Sequence, residues 1–303
     1  MPTVRPPAAG SQPRPSTPAV LLVLAAVVCQ QAGAALAVTV FPAAGPLGLA
    51  ALRLVFSAVV LLAVARPRLR GHSAPAWSAA LGLGVSLAAM NSLIYEAIAR
   101  LPLGTAITLE VLGPLILSVA VSRKVRSLLW AAMALAGVAL LGRGAPADLD
   151  LAGVCFALGA AAAWAAFILC NAKAGAMFRG FDGLALGMAI GAAVSLPGAL
   201  WTAGPALFEP GILALGLAVA LLSSAVPYAM EMVALRRISA AVFSVLTCTS
   251  PAVAAVAGLV LLGQQLNWTQ GAAIALVVAA GIGAVRSAAP RRKPAAREVK
   301  ATR

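Results

Sequence analysis

The sequence predicts an all-α membrane protein of ten transmembrane helices, arranged as two five-helix repeats of opposite orientation. Three observations lead there. Of the 303 residues, 62% are apolar and only 10% charged; the apolar runs recur at span length; and an offset of 137 residues lays one half of the chain over the other. A bilayer core takes about 20 apolar residues per helix, so about 190 apolar positions furnish about ten spans and leave little for a soluble domain. A mean hydropathy of +1.00 excludes an ordinary soluble protein.

The first 18 residues carry six prolines with Arg5 and Arg14, a Pro-rich polar tail expected to be disordered and cytoplasmic. The apolar stretch after it is too long for a signal peptide's hydrophobic region and is followed by more spans, so it reads as the first helix, 19–40. Proline, glycine and charge clusters then break the apolar runs into helices at 46–65, 76–98, 103–121 and 127–143, completing a first repeat over 19–145. A second repeat over 146–288 holds helices at 150–171, 183–202, 211–233, 239–262 and 268–286. Residues 289–303 form a basic tail.

Orientation follows from Lys and Arg alone, because basic residues in short loops are retained on the cytoplasmic side. With both termini cytoplasmic, 19 of the 22 Lys and Arg fall in the tails or in the inner loops near 66–70, 123–126, 173–179 and 236–237. The exceptions are Arg100 and Arg143, in outer loops, and Arg53, inside a span. The formal charge of +14 thus describes orientation in a bacterial inner membrane and contact with lipid headgroups, not affinity for nucleic acid.

Under the 137-residue offset, Ala97–Pro114 lies over Ala234–Pro251, with Ala97 on Ala234, Arg100 on Arg237 and Pro114 on Pro251. Five spans per repeat is an odd number, so the second copy enters the membrane from the opposite side, the plan of many secondary transporters. Pro114 and Pro251 are then expected to break equivalent helices near mid-membrane, beside a substrate site.

Several segments carry a family resemblance: ALRL at Ala51–Leu54, MNSLIYEAIARLPLGTAITLEVLGPL at Met90–Leu115, LALGAAAAWAAFILCNAKAG at Leu158–Gly175 and LSSAVPYAMEMVAL at Leu222–Leu235. With the ten-span plan, they resemble the EamA branch of the drug/metabolite transporter superfamily. The resemblance implies efflux of small amino acids such as threonine and homoserine, by proton antiport with alternating access. Two positions depart from its pattern: Ser250 and Gln264 stand where that pattern carries carboxylates.

An ionisable group within a span is costly and usually faces a cavity or a partner. Arg53 and Glu110 each lie about seven residues into a helix that starts on the outer side, roughly 10 Å deep, so they can meet at one level. Together they complement the carboxylate and ammonium of an amino acid; a structural ion pair is the plainer reading. A carboxylate there holds a proton or a substrate ammonium but not both, which makes Glu110 the candidate for proton coupling. Asn91 and Tyr95 share a face of the third helix at i,i+4 spacing. Tyr228 occupies the eighth, Gln31 the first and Trp164 the sixth, and these complete the expected binding set. For each, interhelical packing or hydrogen bonding is the competing reading. Glu96 with Arg100, and Glu231 near Arg236 and Arg237, are expected as rim ion pairs.

Other chemistries have little to stand on. The four cysteines lie in apolar runs without CxxC spacing, and His72 is a lone histidine in an Arg-rich loop, so no cofactor, metal site or histidine triad is expected. A lipid-modifying enzyme would need a clustered nucleophile, base or metal set at the interface, and no such motif is present. Efflux of other metabolites or cationic drugs is the alternative within transporters. The expected partners are the amino-acid substrate, protons and the lipid bilayer; a homodimer is compatible with the sequence.

Overall fold

The computed structural model describes residues 17–122, 125–144, 150–235, 237–238 and 240–288, and among these the architecture is helical. The first helix, α1 (Thr17–Ala65), is two arms joined at Gly45, whose φ of 65° and ψ of 161° leave helical space. Only glycine takes that conformation without strain, and the flanking Pro42 and Pro46 withdraw two backbone donors beside it. The sequence places a loop between two helices here; the chain turns instead within a few residues.

Next come α2 (Ala74–Ile98), α3 (Leu103–Glu110), α4 (Leu112–Ser122) and α5 (Val125–Gly144). The second half holds α6 (Leu151–Met177), α7 (Asp182–Ala203), α8 (Pro210–Ala220), α9 (Val226–Leu235), α10 (Ala240–Thr247), α11 (Ser250–Leu262) and α12 (Trp268–Ala288). Among the described residues six stretches are long and apolar enough to cross a membrane, and Leu103–Leu117, Leu128–Leu141 and Pro210–Ala225 are shorter apolar helices. Every apolar run marked in the sequence is helical. Three are interrupted: at Val111, at 248–249, and by a wider π-turn over Leu221–Ala225.

Helix entrances are set by ordinary capping chemistry. Ser73 accepts from the Ala76 N–H at the start of α2, and Asp150 accepts from Ala152 and Gly153 at the start of α6, each satisfying donors a helix leaves open. At the α2–α6 rim Arg100 pairs with Glu96, as the sequence indicates, and lies 3.8 Å from Asp150. Being solvent-exposed, such contacts fix geometry more than they stabilise.

The largest core draws on both halves, with Leu49 and Ala50 of α1, Tyr95 of α2, Leu103 and Ala106 of α3, Ala157 of α6 and Ala254 of α11 all buried together. Small residues let backbones approach where no hydrophobic drive separates protein from lipid. Gly84 of α2 lies against Gly187 and Ile190 of α7, and a Cβ on Gly113 would strike the Ala161 carbonyl of α6. Gly113→Ala is therefore expected to cost about 1–3 kcal/mol by overpacking. It should appear as a fall of several degrees in the unfolding temperature of the detergent-solubilised protein; an unchanged temperature would contradict the close α4–α6 approach.

Candidate functional site

Arg53 is where the first half of the chain meets the second. It lies in the second arm of α1, half-buried, with Nε donating to Ser224 Oγ and Nη2 to the Ser223 carbonyl, both at 3.2 Å. That carbonyl is open for a reason written in the sequence. In a regular helix it would accept from residue 227, and Pro227 has no N–H to give. The π-turn over Leu221–Ala225, in which the Val226 N–H reaches back to the Leu221 carbonyl, is the kind of local widening that turns such groups out of a helix. The Arg53 guanidinium also stands 5.8 Å from the centre of the Tyr95 ring, within cation–π reach, and Phe41 packs on the same ring.

Glu110 ends α3 with only 8% of its surface exposed. Pro114, four residues on, lacks the N–H that would bond the Glu110 carbonyl, and the helix breaks at Val111. Arg53 acts electrostatically on Glu110 across the site; among the described ion pairs none joins them directly. Glu110 and Arg53, which the sequence sets at one level, are thus within electrostatic reach of each other.

The equivalent break in the second half is chemically different. Pro251 frees the Thr247 carbonyl, and the Ser250 hydroxyl caps it at 2.7 Å. Offsetting by 137 sets Thr247 on Glu110, so charge is present at one of the two breaks only. Ser250 is therefore occupied as a backbone cap. Gln264, the other departure from the family pattern, is also structural: its Oε1 accepts from the Leu103 N–H at 3.0 Å, tying the end of α11 to the start of α3.

Around Arg53 the polar atoms outnumber their partners. Ser57 Oγ, Tyr95 Oη and Ser223 Oγ are buried without a hydrogen-bond partner, as is Gln31 Oε1, and each residue is at least nine-tenths buried. An unmet buried polar group costs about 1–3 kcal/mol, so a buried hydroxyl without a partner calls for a specific explanation. Ser57 is one turn beyond Arg53 on α1, and Gly33 faces Ser223 so closely that a Cβ there would fall on its hydroxyl.

The other residues expected at the site are placed as follows. Asn91 is buried, and its amide donates to the Leu87 carbonyl of its own helix at 2.8 Å. Trp164 is half-buried against the main core. The Tyr228 side chain and Arg236 lie outside what the structure describes. Glu231 is half-buried in α9. Ser57, Ser223 and Ser224 are absent from the sequence-based set. The available signal was Pro227, a helix-internal proline four residues after Ser223. Among the described residues no group of three His, Cys, Asp or Glu stands close enough to hold a metal ion.

The EamA-like transporter family profile matches residues 151–286. The chain is similar to the threonine/homoserine exporter RhtA of Salmonella typhimurium strain SL1344, at 38% identity over 282 residues covering 92% of this chain and 95% of the relative. It is equally similar, at 38% over 266 residues, to the exporter of the same name from Escherichia coli K12, covering 87% and 90% of the two chains. A protein of known crystal structure superposes with a TM-score of 0.59 over 89% of this chain and 97% of its own, at 21% identity, which is a likeness of fold.

Proposed function

The chain belongs to the EamA-like transporter family, and we propose that it exports small amino acids such as threonine and homoserine from the bacterial cytoplasm by proton antiport. The observation that carries this is a buried Glu110 at a helix break together with an Arg53 bound to the π-turn contributed by the other half of the chain. A guanidinium and a carboxylate within a span match the two charged ends of a zwitterion. The names of the relatives, exporters at 38% identity over most of the chain, support the substrate class.

The carrier plan is two inverted five-helix repeats, 19–145 and 146–288, giving ten spans with both termini cytoplasmic. Its support lies in the helix bounds. Adding 137 to α3 (Leu103–Glu110) gives the bounds of α10 (Ala240–Thr247), and adding it to α2 gives 211–235, which α8, the π-turn and α9 occupy. Packing is reciprocal as well: α2 packs on α6 as the α8–α9 segment packs on α1. Rocking of one repeat against the other around a central site would give alternating access. Glu110 carries the coupling proton when substrate is absent. Gln31, Tyr95, Asn91, Tyr228 and Trp164 complete the proposed binding set.

Cells preloaded with threonine or homoserine test the assignment. Release is expected to be several-fold faster with this protein than in matched cells without it. Release of both amino acids no faster than from the matched cells would sink the substrate class.

A further inference from the structure

The site holds more hydrogen-bonding capacity than a bare zwitterion uses. On the reading above, the α-carboxylate takes Arg53 and the α-ammonium takes Glu110. What remains for the substrate's side chain is neutral: the hydroxyls of Ser57, Tyr95 and Ser223, all buried and none with a partner. These three come from three elements, the second arm of α1, α2 and the π-turn, and Tyr95 and Ser223 both border the Arg53 guanidinium. Ser57 is one turn along its own helix, the Tyr95 ring lies beneath its guanidinium, and Ser223 gives up its carbonyl to Nη2.

Local geometry keeps these hydroxyls from being satisfied internally. Ser223 differs from its neighbour Ser224, whose hydroxyl accepts from Arg53 Nε; the Ser223 hydroxyl points at Gly33, a residue with no side chain to answer it. Ser86 and Ser195, buried elsewhere in the chain, instead bond carbonyls in their own helices. The unmet hydroxyls therefore set this site apart from ordinary buried serines of the same protein.

We propose that Ser57, Tyr95 and Ser223 form a hydroxyl subsite that receives the side-chain hydroxyl of the transported amino acid and selects hydroxylated substrates over apolar ones of similar size. A hydroxyl both donates and accepts, as its three partners do, so one substrate group can satisfy two or three of them. An apolar group entering the same space leaves all of them unpaired, and sites built to bond a hydroxyl reject the analogue lacking it far more strongly than apolar pockets reject an added methylene. Tyr95 and Ser223 act as specificity-determining residues, and Gly33 gives Ser223 its room.

The inference rests on the amino-acid reading of the site, and 2-aminobutyrate separates the two. It is threonine, and equally homoserine, without the hydroxyl. In proteoliposomes of the full chain, threonine is expected to be preferred over 2-aminobutyrate by at least about tenfold, since one hydrogen bond left unmade in a buried site has roughly that effect. Ser223→Ala and Tyr95→Phe should each cut the preference severalfold, with residual 2-aminobutyrate transport and a monodisperse gel-filtration profile reporting that the variants fold. Equal handling of threonine and 2-aminobutyrate by the wild type overturns the subsite while leaving amino-acid transport standing. So does an equal loss of both substrates in the variants, which would place these hydroxyls on the shared α-carboxylate or in packing. Transport of neither amino acid overturns the subsite and the reading beneath it together.

Discussion

Glu110→Gln is expected to abolish threonine accumulation driven by a proton gradient. In everted membrane vesicles with an acidified lumen, the wild type should concentrate threonine in the lumen as protons leave, and the E110Q protein should fall to the level of vesicles lacking the carrier. The reason is the placement of Glu110 at the end of α3, buried and within electrostatic reach of Arg53. A carboxylate there has two competing occupants, a proton and a substrate ammonium, and coupling consists in their exclusion of one another. Gln keeps the size and part of the hydrogen bonding but can carry neither charge nor proton. A folded E110Q protein that still accumulates threonine against its gradient would remove Glu110 from coupling. Loss of accumulation with retained downhill exchange would assign it to the proton alone.

Arg53→Ala is the second change of large effect. It removes the cation proposed to hold the substrate carboxylate, and it also strands the Ser223 carbonyl that Pro227 had already deprived of a helical donor. Hydrogen bonds from charged groups contribute about 1.5–3 kcal/mol each, so threonine export should fall roughly hundredfold. Arg53→Lys separates charge from geometry. Lysine retains the positive charge but cannot span Ser224 Oγ and the Ser223 carbonyl with one planar group, and export should be intermediate. Full activity in R53K would mean that charge alone matters, and full activity in R53A would dissolve the proposed site.

Much of this molecule is legible in its sequence. Helix positions follow from apolar length and from the breaks that proline, glycine and charge impose, which are properties of short stretches. Gly45, Pro114 and Pro251 each interrupt the chain where their backbone chemistry requires it. Arg53 and Glu110 stand out because charge inside an apolar run is costly and therefore rare. The interruptions were harder to read in detail. The π-turn before Pro227 has no signature of its own in the sequence, since a proline marks a freed carbonyl without saying whether the chain bends, widens or breaks around it.

Composition and pattern by themselves determined that this is a helical membrane protein, where its helices lie, and which two charges deserve scrutiny. Only the tertiary structure decided what those charges touch. Arg53 and Ser223 are 170 residues apart, and Gln264 reaches Leu103 across 161; neither contact has a local signature. The same holds for the buried hydroxyls. A serine that bonds its own helix and one left without a partner look alike in sequence, because satisfaction depends on what the rest of the fold brings near. Ser250 and Ser223 divide on that ground, one capping Thr247 and the other packed against Gly33 without a hydrogen-bond partner.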